Sequence, residues 1–347
     1  MTPTLTKPTD NAAADAAGEP RGARRWLRPW MLLAVAPAVL AGCLALGPAG
    51  LGIPSPTDPL GRAVFALRLN RVLAGFMVGA ALASSGAVLQ ALLRNPLAEP
   101  YVLGVSSGAG LGAALSILCG AAAASAVATP LLAFGGALAT LALVQALARD
   151  GGGWSPHSLI LSGVIVSSVC ASVLMFLVSL APVEGLHSIL WWMLGNLEVA
   201  SGGVFAACAA LTAAAYAVSR LLARELNALT LGEPLAHHVG VRTRAATGLG
   251  LAAATLAAAA AVALAGLIGF VGLIVPHAVR RLAGPDHERL LPCAALAGGL
   301  FLALCDAVAR TALAPVEIPV GVVTALIGGP CFVAILRRRR AAPALEA

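Results

Sequence analysis

The sequence is short of charge, of lysine and of aromatic rings. Charged residues make up 11% of its 347 residues against 59% hydrophobic ones, too little charge to clothe a water-soluble domain of this length. Lysine occurs once, as Lys7. A phosphate-cradling loop of the Gly-x-x-x-x-Gly-Lys-Ser/Thr kind needs a lysine to reach the β and γ phosphates, so the sequence carries no ATP site of that kind. Aromatics stand at 4%, whereas a transmembrane β-barrel would carry aromatic girdles and alternate polar with apolar residues. The seven cysteines (Cys43, Cys119, Cys170, Cys208, Cys293, Cys305 and Cys331) are odd in number, form no CxxC and sit in or beside apolar runs. They read as small buried hydrophobes. None of the six histidines has a partner at metal-site spacing, so neither a metal nor a cofactor is expected and no catalytic residue is assigned. The net charge of +7 does not point to nucleic acid, because the arginines fall in short segments between apolar runs and build no continuous basic face.

What fills the sequence instead is alanine, leucine, valine and glycine in long runs. Stretches near the ~20 residues that cross a bilayer lie at 30–50, 72–93, 102–126, 129–148, 158–180, 201–222, 245–266, 290–314 and 318–336. A shorter, proline-interrupted run at 267–283 makes a tenth. Basic residues mark the cytoplasmic side. With ten spans and the N-terminus inside, all but Arg62, Arg68, Arg71 and Arg310 of the 22 basic residues fall there. Nine spans would put Arg337 to Arg340 on the wrong face. The predicted fold class is therefore all-α: a polytopic membrane protein of about ten transmembrane helices with cytoplasmic N- and C-termini. Residues 1–29 read as a polar, disordered cytoplasmic tail, 30–340 as one ten-helix domain and 341–347 as a cytoplasmic tail.

Smaller features refine this picture. Leu40-Ala41-Gly42-Cys43 matches a lipoprotein cleavage box, but the long polar lead and the spans that follow argue that it stays uncleaved. Gly75 and Gly79, and Gly104, Gly108 and Gly112, stand four apart, a spacing that lets helix backbones approach in a bilayer. Asp306 lies four residues before Arg310 in an apolar run, so the two share a helix face and are expected to pair. Ser107 and Ser162 would be candidate nucleophiles of an intramembrane hydrolase. No histidine stands convincingly as their base, and packing between helices accounts for them better.

Three stretches are more particular. The first runs from Arg68-Leu69-Asn70-Arg71 through Gly79, Gly86 and Gln90 to Arg94-Asn95-Pro96-Leu97-Ala98-Glu99-Pro100, then Leu103 to Ala109. The second is Leu226 to Gly240, containing Leu231-Gly232-Glu233-Pro234. The third is Gly266-Leu267-Ile268-Gly269-Phe270-Val271-Gly272 through Pro276-His277, with Gly284-Pro285-Asp286-His287, Asp306 to Arg310 and Glu317 to Gly328 after it. Together, over about residues 60 to 336, they resemble the FecCD family, the iron-chelate, haem and cobalamin permeases of binding-protein-dependent ABC importers.

That resemblance implies a ten-span permease of the bacterial inner membrane, working as a homodimer with two copies of a cytoplasmic ATP-binding subunit and a periplasmic binding protein. It implies docking of the binding protein by Arg68, Arg71 and Arg310, through guanidinium forks that suit carboxylates. It implies an ATPase-coupling helix within 226–240, with Leu231, Gly232, Glu233 and Gly240 at the motif positions. It also implies a cytoplasmic gate at Asn95 and Leu97, completed by Pro156 and His157. Asn70 stands where the family usually has proline, which is expected to loosen the start of that helix. The overall similarity leans towards haem as cargo, with a ferric siderophore or cobalamin as alternatives. An ion-coupled secondary carrier is the competing class.

Overall fold

The computed structural model describes residues 27–340 except 49, 55–56, 151–152 and 200. Of the expected terminal tails, residues 1–26 of the 1–29 segment and all of 341–347 lie outside the described residues. The described chain is almost wholly helical. In order come α1 (Pro29–Ala45), α2 (Pro59–Leu92), a 3-10 turn (Pro100–Leu103), α3 (Val105–Leu118), the single turn α4 (Ala121–Ala124) and α5 (Ala128–Leu147). Then follow α6 (Pro156–Ser179), α7 (Val183–Met193), α8 (Gly202–Leu221), α9 (Ala223–Thr230), α10 (Glu233–His238), α11 (Thr243–Ala265), α12 (Val271–Ala283), α13 (His287–Thr311) and α14 (Val320–Arg340). Two small antiparallel hairpins, β1–β2 (Leu46–Gly47, Gly50–Leu51) and β3–β4 (Arg149–Asp150, Gly153–Trp154), close the turns after α1 and α5.

Six helices among the described residues are long and apolar enough to cross a bilayer: α2, α5, α6, α8, α11 and α13. Their starts follow local chemistry. Asp58 accepts from the Gly61 N–H at 3.3 Å, with Pro59 in the first turn of α2. Ser155 does the same for Ser158 at 3.0 Å, with Pro156 opening α6. A polar cap followed by a proline whose missing N–H costs nothing is a strong helix start. The start of α2 lies thirteen residues before the apolar run suggested, so its 34 residues reach about 51 Å and carry Arg62, Arg68 and Arg71 on a helix rather than a loop. Asn70 loosens nothing. It keeps the backbone N–H that proline would remove, and the helix passes through it unbroken.

Helices α2, α11 and α13 are buried over most of their length, while α5, α6 and α8 are largely uncovered. Close backbone crossings build the centre. A Cβ on Gly79 would collide with the Gly298 carbonyl of α13, and one on Gly86 with the Gly272 carbonyl of α12. Such small-residue contacts replace the hydrophobic drive that a bilayer lacks. Gly108 and Gly112 make the equivalent crossing with α5. Gly104 does not join them; at φ +82° it is the left-handed turn that starts α3.

Two expected spans are broken. The 102–126 run divides into the 3-10 turn, α3 and α4, and α3 with its 14 residues covers only about 21 Å. Before α12, residues 266–270 are unwound, with Gly266 at φ +69° and Phe270 at φ +68°. Their backbone groups are answered inside the protein, as an apolar surrounding requires. Tyr101 Oη both donates to the Ile268 carbonyl and accepts from the Ile268 N–H, each at 2.8 Å. Just before the stretch, the Asn196 N–H meets the Ala265 carbonyl at 2.8 Å.

Candidate functional site

The chemistry-bearing residues gather at the two ends of the bundle. At one end a charge network joins α2, α13 and the approach to α14. Asp306 is fully buried and holds two arginines, Arg71 Nε on Oδ1 at 2.8 Å and Arg310 Nε on Oδ2 at 2.9 Å. Arg71 Nη1 also reaches Glu317 Oε2 at 2.8 Å. The expected Asp306–Arg310 pair is thus present, with Arg71 added to it. Arg310 gives its other nitrogens to the carbonyls of Leu46 and Cys43, both at 3.2 Å, and so anchors the end of α1, where a cation suits the terminal carbonyls.

This pairing bears on the docking expectation at Arg310. The Arg310 side chain is 3% exposed, against 17% for Arg71, and its donors point at Asp306 and two carbonyls. A guanidinium removed from water requires such an internal partner. Among the described residues Arg68 meets no carboxylate. Its Nη1 donates to the carbonyls of Gly52 at 2.9 Å and Leu44 at 3.2 Å, and it lines a cavity of about 460 Å³ with Asn70, Arg71, Glu198 and Glu317. A second cavity, about 290 Å³, continues from Arg71 and Glu198 to Trp191 and Asn196. A third, about 460 Å³, shares Trp191, Asn196 and Glu198 and extends under α7 to His187 and Trp192. The shared walls make one elongated basin.

At the other end the stretch expected to couple to an ATPase is two helices, not one. It breaks at Gly232, whose φ +110° and ψ 150° suit glycine. Glu233 and Pro234 open α10, and Gly240 at φ +86° ends the segment. Leu231, Leu235 and Val239 are 69%, 56% and 72% exposed, three apolar side chains in the same short segment as the exposed Glu233. From behind, Asn227 fastens α9 to the start of α13. Its Nδ2 donates to Asp286 Oδ1 at 2.7 Å, and its Oδ1 accepts the His287 N–H at 2.8 Å. Asp286 also caps α13 through the Glu288 N–H at 3.0 Å. Burial alone would raise the Asp286 carboxyl; the Asn227 amide, the Glu288 N–H and the neighbouring Arg289 and His287 outweigh it and hold it below its ordinary value.

The residues expected to form a gate lie next to this stretch. Asn95 Oδ1 accepts the Leu97 N–H at 3.0 Å, an Asx turn that follows Arg94, itself at φ +47°. Arg94, Pro156 and Glu233 line one narrow cleft with Trp154 and Leu229. The turn after α2, the start of α6 and the α9–α10 break therefore meet. His157 is exposed and Pro156 half-buried. Sequence reasoning missed Glu317, Glu198, Asn227 and Tyr101. Asn227, Asp286 and Glu317 each stand inside a quoted motif, but no spacing rule joins positions 59 or 246 residues apart.

The sequence profile of the FecCD transport family matches residues 35–338. The chain belongs to that family. Similar proteins include the cobalamin import system permease protein BtuC of Halobacterium salinarum, 42% identical over 312 residues, covering 90% of this chain and 80% of the relative. Another is the hemin transport system permease protein HmuU of Yersinia pestis, 37% identical over 320 residues, covering 87% and 94%. Among solved structures, an inward-facing metal-chelate type ABC transporter aligns with a TM-score of 0.80 at 32% identity, over 89% of this chain and 98% of that one. As a FecCD member, this helical membrane protein is a permease of the ABC importers for iron-chelate, haem and cobalamin type substrates. The break at Gly232 and the unwound 266–270 stretch are then features of a transport subunit.

Proposed function

We propose that the chain is the translocation subunit for an iron-containing chelate, with haem as the leading cargo, moved from periplasm to cytoplasm across the bacterial inner membrane. Ten crossings follow if α1, α3, α12 and α14 are added to the six long helices, with both termini cytoplasmic. The Asp306 end is then periplasmic and the Asp286 end cytoplasmic. Two copies pair through the uncovered apolar faces, two ATP-binding subunits seat at the cytoplasmic end, and a periplasmic binding protein docks at the other through Arg68 and Arg71.

The observation that carries this reading is the exposure of the apolar Leu231, Leu235 and Val239 near Glu233, in a loop fastened to α13 by Asn227. An apolar face on a loop, backed by polar bonds into the bundle, is suited to receive a partner and transmit its movement. Gly232 and Gly240 give that loop its shape, and the adjoining Asn95, Leu97, Pro156 and His157 form the gate it would move. The basin at the Asp306 end suits a bulky chelate better than a bare ion, which would want a ring of carboxylate or carbonyl ligands. Cargo identity is tested by purifying the assembled importer with its binding protein and identifying the bound chelate by mass spectrometry. Haem is expected; a siderophore or a corrinoid would overturn that assignment while leaving the permease role standing.

A further inference from the structure

Helix α12 contains Pro276. Proline has no N–H, so the carbonyl four residues earlier, that of Gly272, loses its helical donor. In apolar surroundings such a group must be answered from elsewhere in the protein. It faces α2, where a Cβ on Gly86 would collide with it, and one turn further along that face of α2 stands Gln90. Gln90 is 2% exposed. Its Nε2 donates to the Gly272 carbonyl at 3.4 Å and to the Leu273 carbonyl at 3.2 Å. A primary amide can do this in one orientation only, because its oxygen has no proton to offer a carbonyl. Arg280 fixes that orientation: its Nη2 donates to Gln90 Oε1 at 3.3 Å.

Arg280 is otherwise poorly provided for. Among the described residues it meets no carboxylate, and its buried Nε has no hydrogen-bond partner. The buried Arg310, by contrast, has Asp306. A guanidinium held among helices on such terms loses solvation without gaining an ion pair, and an ionisable side chain placed there is a functional candidate by default. Its other neighbour is the buried His287, which lies within reach of the Arg280 charge. His287 Nδ1 meets Asn227 Oδ1 at 2.7 Å, and Asn227 belongs to the 226–240 stretch. We infer that Arg280 is a positioning residue for transport. It aims the Gln90 amide that ties α2 to the proline-broken start of α12, and it sets that tie beside the loop expected to receive the ATPase. The inference rests on the importer reading above and deepens it, by naming the junction through which movement of that loop reaches α2 and α12.

The test uses the assembled importer in proteoliposomes, with its ATP-binding subunit and binding protein. Ferric haem, a ferric siderophore and cobalamin are each offered to the wild-type assembly, and the one accumulated becomes the probe. Gln90→Glu can still meet Arg280, now as an ion pair, but has no N–H for the two carbonyls. Arg280→Met keeps the bulk and removes the donor. Both variants should hydrolyse ATP at the wild-type rate while the probe taken up per ATP falls about fivefold or more, the lower range of an allosteric coupling. Arg280→Lys, which keeps a donor for Oε1, should recover most of that loss. Pro276→Ala supplies the missing N–H and so separates support from coupling. Combined with Gln90→Glu it should restore any lost melting temperature but not the uptake per ATP. Normal uptake per ATP in Arg280→Met or in Gln90→Glu would overturn the inference. So would full recovery of uptake by Pro276→Ala, because the amide would then only satisfy a carbonyl. A wild-type assembly that accumulates none of the three probes would sink the importer reading, and this inference with it.

Discussion

Asp306→Ala should be among the most damaging single changes in the protein. Asp306 is fully buried and, among the described residues, is the only carboxylate that Arg310 touches, while Arg71 keeps Glu317. Its removal leaves the Arg310 charge, 3% exposed, with nothing but the carbonyls of Leu46 and Cys43. Removing one partner of a buried ion pair costs about 3–5 kcal/mol, roughly a thousandfold in the folding equilibrium at the middle of that range. Removing both charges is different. Asp306→Leu with Arg310→Met takes away the desolvation of each ion together with their attraction, and such replacements are often neutral or stabilising. The double variant should therefore recover most of the loss. Thermal unfolding of the full chain in nanodiscs, read with a thiol-reactive fluorophore, suits the question, since the buried Cys43 and Cys305 flank the network. A cost for Asp306→Ala below about 1 kcal/mol, the level of an exposed pair, would refute this account of the network. So would a double variant no better than the worse single one.

Glu233→Arg should abolish coupled transport while leaving membrane insertion and expression unchanged, measured by uptake against stimulated ATP hydrolysis; normal transport would count against the coupling assignment. Arg71→Ala should weaken binding-protein docking at least about tenfold at low salt and less at high salt, in surface plasmon resonance on the reconstituted importer. Gly86→Val should destabilise by about 1–3 kcal/mol or more through the α2–α12 crossing, whereas Gly135→Ala, with open space around it, should be nearly neutral in the same melting assay. Asp286 sits below its ordinary value of 3.8, so its contribution is complete above that value and is lost only as pH falls through the lowered one. Hydrogen exchange of 223–238, corrected for its intrinsic pH dependence, should show constant protection between about pH 8 and pH 5; loss of protection there would contradict the sign.

Helix class was legible because twenty-residue apolar runs have few other physical solutions, and arginine placement suggested an orientation. Element edges were less so. The start of α2 was hidden because Arg62, Arg68 and Arg71 interrupt the hydropathy of a helix that Asp58 and Pro59 nonetheless begin. The divisions at Gly104 and Gly266 were hidden for the opposite reason, since apolar sequence continues through backbone whose bonds Tyr101 and Asn196 answer from a distance. At the sites, i to i+4 spacing predicted Asp306 with Arg310, a contact local to one helix. It could not show that Arg71 competes for the same carboxylate, nor that the pair turns Arg310 inward. The 226–240 stretch was visible as a motif, while its break at Gly232 depends on a backbone angle that composition does not encode.

The central claim is that this chain moves a chelate only when a separate ATPase drives it. The decisive measurement is uptake of ferric haem, a siderophore and cobalamin into proteoliposomes holding the chain with its ATP-binding subunit, with the binding protein added outside. The account predicts uptake of one of these that requires all three components and ATP within. Accumulation by the chain alone down a proton or sodium gradient, without ATP, would contradict it.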